Sequence, residues 1–450
     1  MDKLARVLLA ILVACAVGEA SYPAQAPADD ITSRAKQFVE AFMKEDYSTA
    51  SKDFDENMKR VLPVEKLREV HRSLITNAGA FKRQVSARTE KQQQYDIVFV
   101  TCEFALAAVD AKVVFDSQKQ ITGLFFVPAA QPPASEYKPP AYARPDSFSE
   151  KEVTVGSGEW ALPGTLTLPN GQGPFPAAVL VHGSGPNDRD ESIGPNKPFR
   201  DIAWGLATRG IAVLRYDKRT KVHSLKFAPL MDRLTVKEET IDDVLLAVAL
   251  LRETPGIDAG KVFVIGHSLG AIVAPRVAKL DPKIAGLVLL AGATRPAEDL
   301  IVEQITYIRS LDGVLSDAER AEIEKYKSQA AAVKDPNLST ATPRSSLPLG
   351  IPATYWLDLR QYDPAKVAAQ IGQPMLILQG ERDYQVTMED FQGWKRALGS
   401  RKDVEFKSYP KLNHIFTEGE GKLTPAEYGE PGNVAEYVIE DIAKWIKSRK

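Results

Sequence analysis

The chain has 450 residues, 44% hydrophobic and 26% charged, with a formal net charge of −2. That composition is ordinary for a soluble globular protein, and the near-neutral balance argues against nucleic acid or an anionic membrane surface as the main partner. The length fits two domains with appendages, and two cysteines, Cys15 and Cys102, exclude a disulfide framework or a thiolate zinc site of usual spacing.

Lys3 and Arg6 precede the apolar run Val7–Val17, which is too short to span a bilayer. It matches the h-region of a secretory signal, with Gly18-Glu-Ala20 at the cleavage position. Leu12-Val-Ala-Cys15 also fits a bacterial lipobox, in which Cys15 would carry a lipid anchor. Both readings imply export, to the periplasm, the medium or a lipid-anchored place on the outer membrane. Residues 1–20 are therefore set apart from the fold. No later run of eighteen apolar residues occurs, so no span is expected in the mature protein.

Residues 30–128 read as a small α+β domain. The segments 35–43 and 64–74 place apolar residues at helical spacing, and 95–104, 108–115 and 121–127 read as the strands of a meander. Cys102 falls within a strand as a buried residue; His71 reads as a surface residue of a helix. Residues 129–148, rich in Pro-Pro and Arg-Pro, read as a semi-rigid extended linker. From 149 to 450 strand and helix alternate, which implies an α/β domain with a mostly parallel sheet covered by helices on both faces. Strand patterns lie at 152–155, 160–168, 177–181, 211–216, 262–265, 284–291, 374–378 and 404–409, with helical ones at 202–208, 236–252, 271–279 and 434–447. The alternation breaks at about 294–370, where charged helical patterns at 297–311 and 316–333 read as a cap. An insertion after a strand's C-terminal edge lies over the active site of such a sheet.

The stretch Val262-Phe-Val-Ile-Gly-His-Ser-Leu-Gly270 carries the chemistry. An apolar strand runs into Ser268 flanked by Gly266 and Gly270, the pattern of a nucleophile elbow, where a tight strand-to-helix turn exposes the serine hydroxyl. A serine needs a base, itself oriented by a carboxylate. Of the five histidines, His71 lies in the other domain, His182 and His267 flank backbone-critical turns, and His223 sits in a charged loop. That leaves His414, after the last strand. Asp383, after the strand that follows the cap, is the expected acid, with Asp217 as its competitor. The oxyanion donors are expected to be the N–H of Leu269 and, from His182-Gly-Ser-Gly185, that of Ser184 in preference to Gly183.

The set His182-Gly-Ser-Gly-Pro-Asn-Asp-Arg-Asp190, Arg215-Tyr-Asp-Lys-Arg219, Gly266-His-Ser-Leu-Gly270 and Gly380-Glu-Arg-Asp383 resembles the α/β-hydrolase superfamily, from about residue 150 to the end. It is most similar to bacterial serine esterases grouped with dienelactone-hydrolase and serine-aminopeptidase-like hydrolases, some of which carry a small N-terminal domain. Residues 30–128 resemble the NTF2 or cystatin type. The resemblance implies an α/β-hydrolase fold and hydrolysis of a carboxylic ester, short-chain by expectation, through an acyl-enzyme. Ser268 departs from the cysteine nucleophile of true dienelactone hydrolases, which argues against their substrate.

His182, Gly183, His267, Asp188 and Arg189 are the candidate rim of the pocket, and Asp188-Arg-Asp190 either ties the cap or the first domain to that rim or is a solvated loop. The same triad would serve an aminopeptidase-like peptidase or an acyl-CoA thioesterase, and the reading from another class is a non-catalytic binding protein on a hydrolase scaffold. Glu298, Asp299 and Glu303 give the peptidase option carboxylates for a substrate ammonium. No metal ligand set, phosphate-cradling loop or organic cofactor is expected, and the partner is a small ester.

Overall fold

The computed structural model describes residues 30–449 apart from 93–94, 105–106, 130–136, 224–225 and 227. The export signal at 1–20 and the first Pro-Pro of the linker lie outside the described residues. The chain divides into two compact units, Met1–Pro133 and Ala134–Lys450.

In the first unit, helices Asp30–Met43 and Val64–Ala78 accompany an antiparallel sheet in the order β1-β2-β3-β4, with β1 Phe81–Gln92, β2 Tyr95–Phe104, β3 Ala108–Phe115 and β4 Ile121–Pro128. The first strand is one that the apolar pattern misses. It pairs only with β2, and an edge strand carrying Lys82, Arg83, Arg88, Glu90 and Lys91 has too few apolar residues to alternate legibly. His71 is a correction: it is buried, not on the surface. It shares a helix face with Leu67 and Leu74, its Nδ1 lies 3.2 Å from the Tyr47 hydroxyl, and its ring meets the Phe42 edge at 5.1 Å. Cys102 is buried in β2, where burial and then the nearby Asp110 charge push its thiol up to about 12.

In the second unit, eight strands follow the order β12-β11-β10-β9-β7-β8-β6-β5. They are β5 Phe148–Val155, β6 Leu162–Pro169, β7 Phe175–Val181, β8 Ala212–Tyr216, β9 Ile257–His267, β10 Gly286–Leu290, β11 Met375–Gly380 and β12 Val404–Tyr409. β5 pairs antiparallel with β6, and β6 with β8; every other pairing is parallel. Alternate side chains of the central strands enter opposite layers. Val179, Val181, Val262 and Val264 pack with helices Asp242–Glu253, Leu269–Leu280 and Met388–Leu398; Ala178, Leu180, Phe263 and Ile265 pack with Pro198–Thr208 and Glu436–Lys447. Burial on both faces is why these strands read as continuous apolar runs.

Three features differ from expectation. The helix expected over 236–252 opens as a π turn, Lys237–Ile241, before the α-helix Asp242–Glu253. The helix Met388–Leu398, which buries Phe391, Trp394 and Leu398, is not anticipated at all. And from Tyr137 on, the proline-rich stretch is no free spacer. The Tyr137 hydroxyl donates to Asp201 at 2.6 Å, that of Tyr142 donates to the Val434 carbonyl at 2.7 Å, and Arg144 N donates to Thr208 Oγ1 at 2.9 Å. Two aromatic rings outweigh the extended preference of the prolines and fasten the segment to the helical layer.

The cap lies between β10 and β11, with helices Ala297–Arg309, Asp317–Lys334, Ala353–Arg360 and Pro364–Ala368. It holds its own small core of Val333, Leu338, Leu347, Ala353 and Trp356. Its first residues are clamped by the buried Asp390, which accepts from Thr294 N at 2.9 Å and Arg295 N at 3.0 Å and pairs with the Arg295 guanidinium at 2.8 Å. Among the described residues no helix is long and apolar enough to cross a membrane, and no group of three or more His, Cys, Asp or Glu is arranged to hold a metal.

Candidate active site

β9 ends at His267, and Ser268 is the N-cap of the helix Leu269–Leu280 with φ 53° and ψ −115°. A non-glycine residue in that region is strained and is held there by its surroundings. The surroundings are visible at the flanking glycines. A Cβ on Gly266 would lie 2.3 Å from the Gly270 carbonyl oxygen, and one on Gly270 would lie 2.1 Å from that of Val181. The turn closes only because both positions lack a side chain. Ser268 N donates to the Leu290 carbonyl at 2.9 Å, which fixes the elbow to the neighbouring strand.

Asp383 follows β11 and His414 follows β12, so adjacent parallel strands deliver both at the same sheet edge. His414 Nδ1 donates to Asp383 Oδ2 at 2.6 Å, with both side chains buried. The carboxylate is itself held: Oδ1 accepts from Gln385 N at 2.7 Å and Val386 N at 3.0 Å, and Oδ2 from Gln379 Nε2 at 3.2 Å. Those bonds fix the plane of the carboxylate against the imidazole. The competitor Asp217 is engaged elsewhere, accepting from Arg189 N at 2.8 Å and pairing with the Arg189 guanidinium at 3.0 Å.

His414 meets the elbow through His267, whose Nε2 donates to the His414 carbonyl at 2.9 Å and whose ring lies 4.7 Å from the His414 ring. His267 Nδ1 lies 2.8 Å from Glu191 Oε2, and Glu191 Oε1 accepts from Gly183 N at 2.6 Å. Burial alone would lower the pKa of His267 and raise that of Glu191. Their mutual attraction, with the hydrogen bonds, outweighs burial, so His267 is raised and Glu191 lowered. The two groups thus sit buried together by the loop after β7, each shifted toward its charged form. Gly183 of that loop lies against Ser268: a Cβ there would come within 3.2 Å of Ser268 Cβ. Ser184 is exposed beside it, and Leu269 opens the helix, where a backbone N–H has no partner within the helix.

The expected rim is redistributed. His182 is buried between Phe199 and Tyr216, with ring centroids 5.0 and 5.3 Å away, and burial pushes it down to about 4. It is a neutral core residue. His267 is interior as well, because its two acceptors lie inside the loops. Asp188 caps its own turn, accepting from Asp190 N and Ser192 N. Arg189 reaches Glu152, Thr165 and Asp217, and Asp190 pairs with Arg215, Lys197 and Arg200. These ties run to the antiparallel edge of the sheet and the helix after the loop, not to the cap. Glu191, Lys218 and Glu239 carry no sequence signal of their burial, because each stands among other charged or polar residues.

The family described as "Serine aminopeptidase, S33" matches residues 196–420, and the chain is 40% identical to Esterase EstD of Thermotoga maritima over 411 residues, 91% of this chain and 93% of that one. The chain belongs to the α/β-hydrolases. The first unit of this hydrolase matches a family described as "Protein of unknown function (DUF3887)" at residues 35–124. Among solved structures the hydrolase is similar to a Pyrococcus furiosus esterase, at 17% identity over 70% of this chain and 98% of that one with a TM-score of 0.41. It is also similar to Est1E of Butyrivibrio proteoclasticus, at 16% identity over 66% and 99% with a TM-score of 0.42.

Proposed function

We propose that this hydrolase is a serine esterase in which Ser268, His414 and Asp383 form the triad and the N–H groups of Ser184 and Leu269 bind the oxyanion. Ser268 Oγ adds to the ester carbonyl as its proton passes to His414, and the carbonyl π pair moves onto oxygen. Collapse expels the alcohol, which takes that proton, and water then frees the acid by the same steps. Support comes from the buried 2.6 Å His414–Asp383 bond at the edge where the elbow emerges, and from the likeness to EstD along nearly the whole chain.

The observation that favours esters over peptides is in the cap. An aminopeptidase needs a carboxylate left free for a substrate ammonium. Glu303 is paired with Arg295 at 2.8 Å and Asp299 is paired with Lys334, while Glu298 is buried with its carboxyl held above the usual range by burial. The test is kinetic. Ser268→Ala should abolish fluorophosphonate labelling and turnover of short-chain p-nitrophenyl esters, and kcat/KM for those esters should far exceed that for aminoacyl p-nitroanilides. Comparable anilide cleavage that Glu303→Gln removes would establish the peptidase instead.

The same proposal includes export, which rests on Lys3, Arg6 and the Val7–Val17 run. The mass of the mature N-terminus tests it: cleavage after Ala20, or before a lipidated Cys15, supports export, and an intact Met1 overturns it.

A further inference from the structure

We propose that Lys218 is a positioning residue of the oxyanion site, and that through Glu239 and Tyr355 it makes the aim of that site depend on the cap. The inference rests on the esterase reading above, in which Ser184 N–H is one of the two donors.

The peptide joining Gly183 to Ser184 is planar and trans, so its carbonyl and its N–H point in opposite directions. Whatever holds the Gly183 oxygen therefore aims the Ser184 N–H. Lys218 Nζ donates to that oxygen at 2.8 Å, and Asn187 Nδ2 adds a donor at 3.2 Å. The preceding N–H, that of Gly183, is already given to Glu191 Oε1, so the Ser184 N–H is the next along the loop for an oxyanion. A cation on the carbonyl oxygen also polarises the amide and strengthens its N–H as a donor, most of all where water is excluded.

Lys218 is 1% exposed, and its ammonium also donates to Glu239 Oε1 at 2.5 Å. The other oxygen of Glu239 accepts from the Tyr355 hydroxyl at 2.6 Å. Glu239 lies in the π turn Lys237–Ile241, where Glu239, Thr240 and Ile241 are buried in succession. π turns recur at functional sites, and this one aims a carboxylate into the interior. A buried ion pair is a poor route to stability, since apolar residues of the same volume do as well, so this pair is read as fixing one conformation of a loop. Tyr355 belongs to the cap helix Ala353–Arg360. The line Tyr355–Glu239–Lys218–Gly183 thus runs from cap to oxyanion donor through hydrogen bonds of 2.5–2.8 Å.

The test uses the full chain and the variants Lys218→Met/Glu239→Gln, which removes both charges together, and Tyr355→Phe. For each, kcat and KM for p-nitrophenyl acetate are measured, with the inhibition constant of a trifluoromethyl ketone, whose Ser268 adduct carries an oxyanion, and the melting temperature. A donor that acts only on the oxyanion lowers kcat and leaves KM nearly unchanged. The double variant is expected to lose kcat by about a hundredfold, with a parallel loss of ketone affinity; Tyr355→Phe should lose less of both. Unchanged ketone affinity, a loss confined to KM, or a loss explained by the melting temperature overturns the proposal. Should the double variant not fold, Tyr355→Phe and Asn187→Ala are judged on the same readouts. A Ser268→Ala protein that keeps its activity removes the esterase reading itself; an inactive Ser268→Ala beside unaffected Lys218 and Tyr355 variants removes this inference alone.

Discussion

His267 Nε2 donates to the His414 carbonyl at 2.9 Å, and its Nδ1 lies 2.8 Å from the Glu191 carboxylate, which favours the protonated ring. The raised His267 contributes stability that is fully present below its ordinary value of 6.5 and is lost as pH rises through its folded value. The lowered Glu191 contributes stability present above its ordinary 4.5 and lost as pH falls through its folded value. The stability gap between the natural protein and His267→Gln/Glu191→Gln should therefore be widest between about 4.5 and 6.5 and narrow on both sides, read by urea unfolding at several pH values. A gap that is flat with pH would show that His267 is neutral. This pair was not legible in the sequence. His267 stands next to Ser268 at the strand end, where burial has no pattern to show it, and Glu191 sits at a positive-φ turn, φ 50°, that no periodicity marks. The His414–Asp383 pair is legible because its order along the chain follows strand order, and strands can be read.

The elbow is an element whose form is dictated by two missing side chains. Gly270→Ala would place a methyl 2.1 Å from the Val181 carbonyl oxygen, which is backbone in the middle of the sheet and has no room to yield. The expected cost is about 3 kcal/mol or more, with activity falling further because Ser268 is displaced; urea denaturation and the p-nitrophenyl ester assay check the two effects separately. Buried strands were read well at this scale because both of their faces are apolar. β1 was missed because an edge strand is mostly polar. The helix Met388–Leu398 packs one face, Met388, Phe391, Trp394 and Leu398, at spacings that an element this short barely repeats. Asp390, buried within it, had no sequence signal at all: its partners Thr294 and Arg295 arrive from the far side of the cap.

Taken whole, the molecule places the boundary between its units earlier than the prolines suggest. A fragment of residues 134–450 should fold and keep the esterase burst, because both acid–base partners, the elbow and both oxyanion donors lie within it. A fragment of residues 149–450 loses Tyr137 from Asp201, whose carboxyl burial already pushes up to about 6, and Tyr142 from the Val434 carbonyl. It should be less stable than the longer fragment by about 1–3 kcal/mol in chemical denaturation, since the Val434 carbonyl loses the Tyr142 donor and Asp201 loses its 2.6 Å bond while keeping those from Asn433 and Val434 N. Equal stability of the two would mean that residues 137–148 contribute nothing to the fold.

The cap leaves and returns between two strands that are already partners: Ala291 N donates to the Leu378 carbonyl at 3.0 Å, and Leu287 N to that of Pro374 at 3.0 Å. The chain entropy of closing such an excursion grows only with the logarithm of its length, about 0.6 kcal/mol for each doubling. The sheet is therefore nearly indifferent to how much is inserted there, provided the two ends meet. In that sense the joint is a socket. One insert can be exchanged for another while the eight strands keep the same order and the same register.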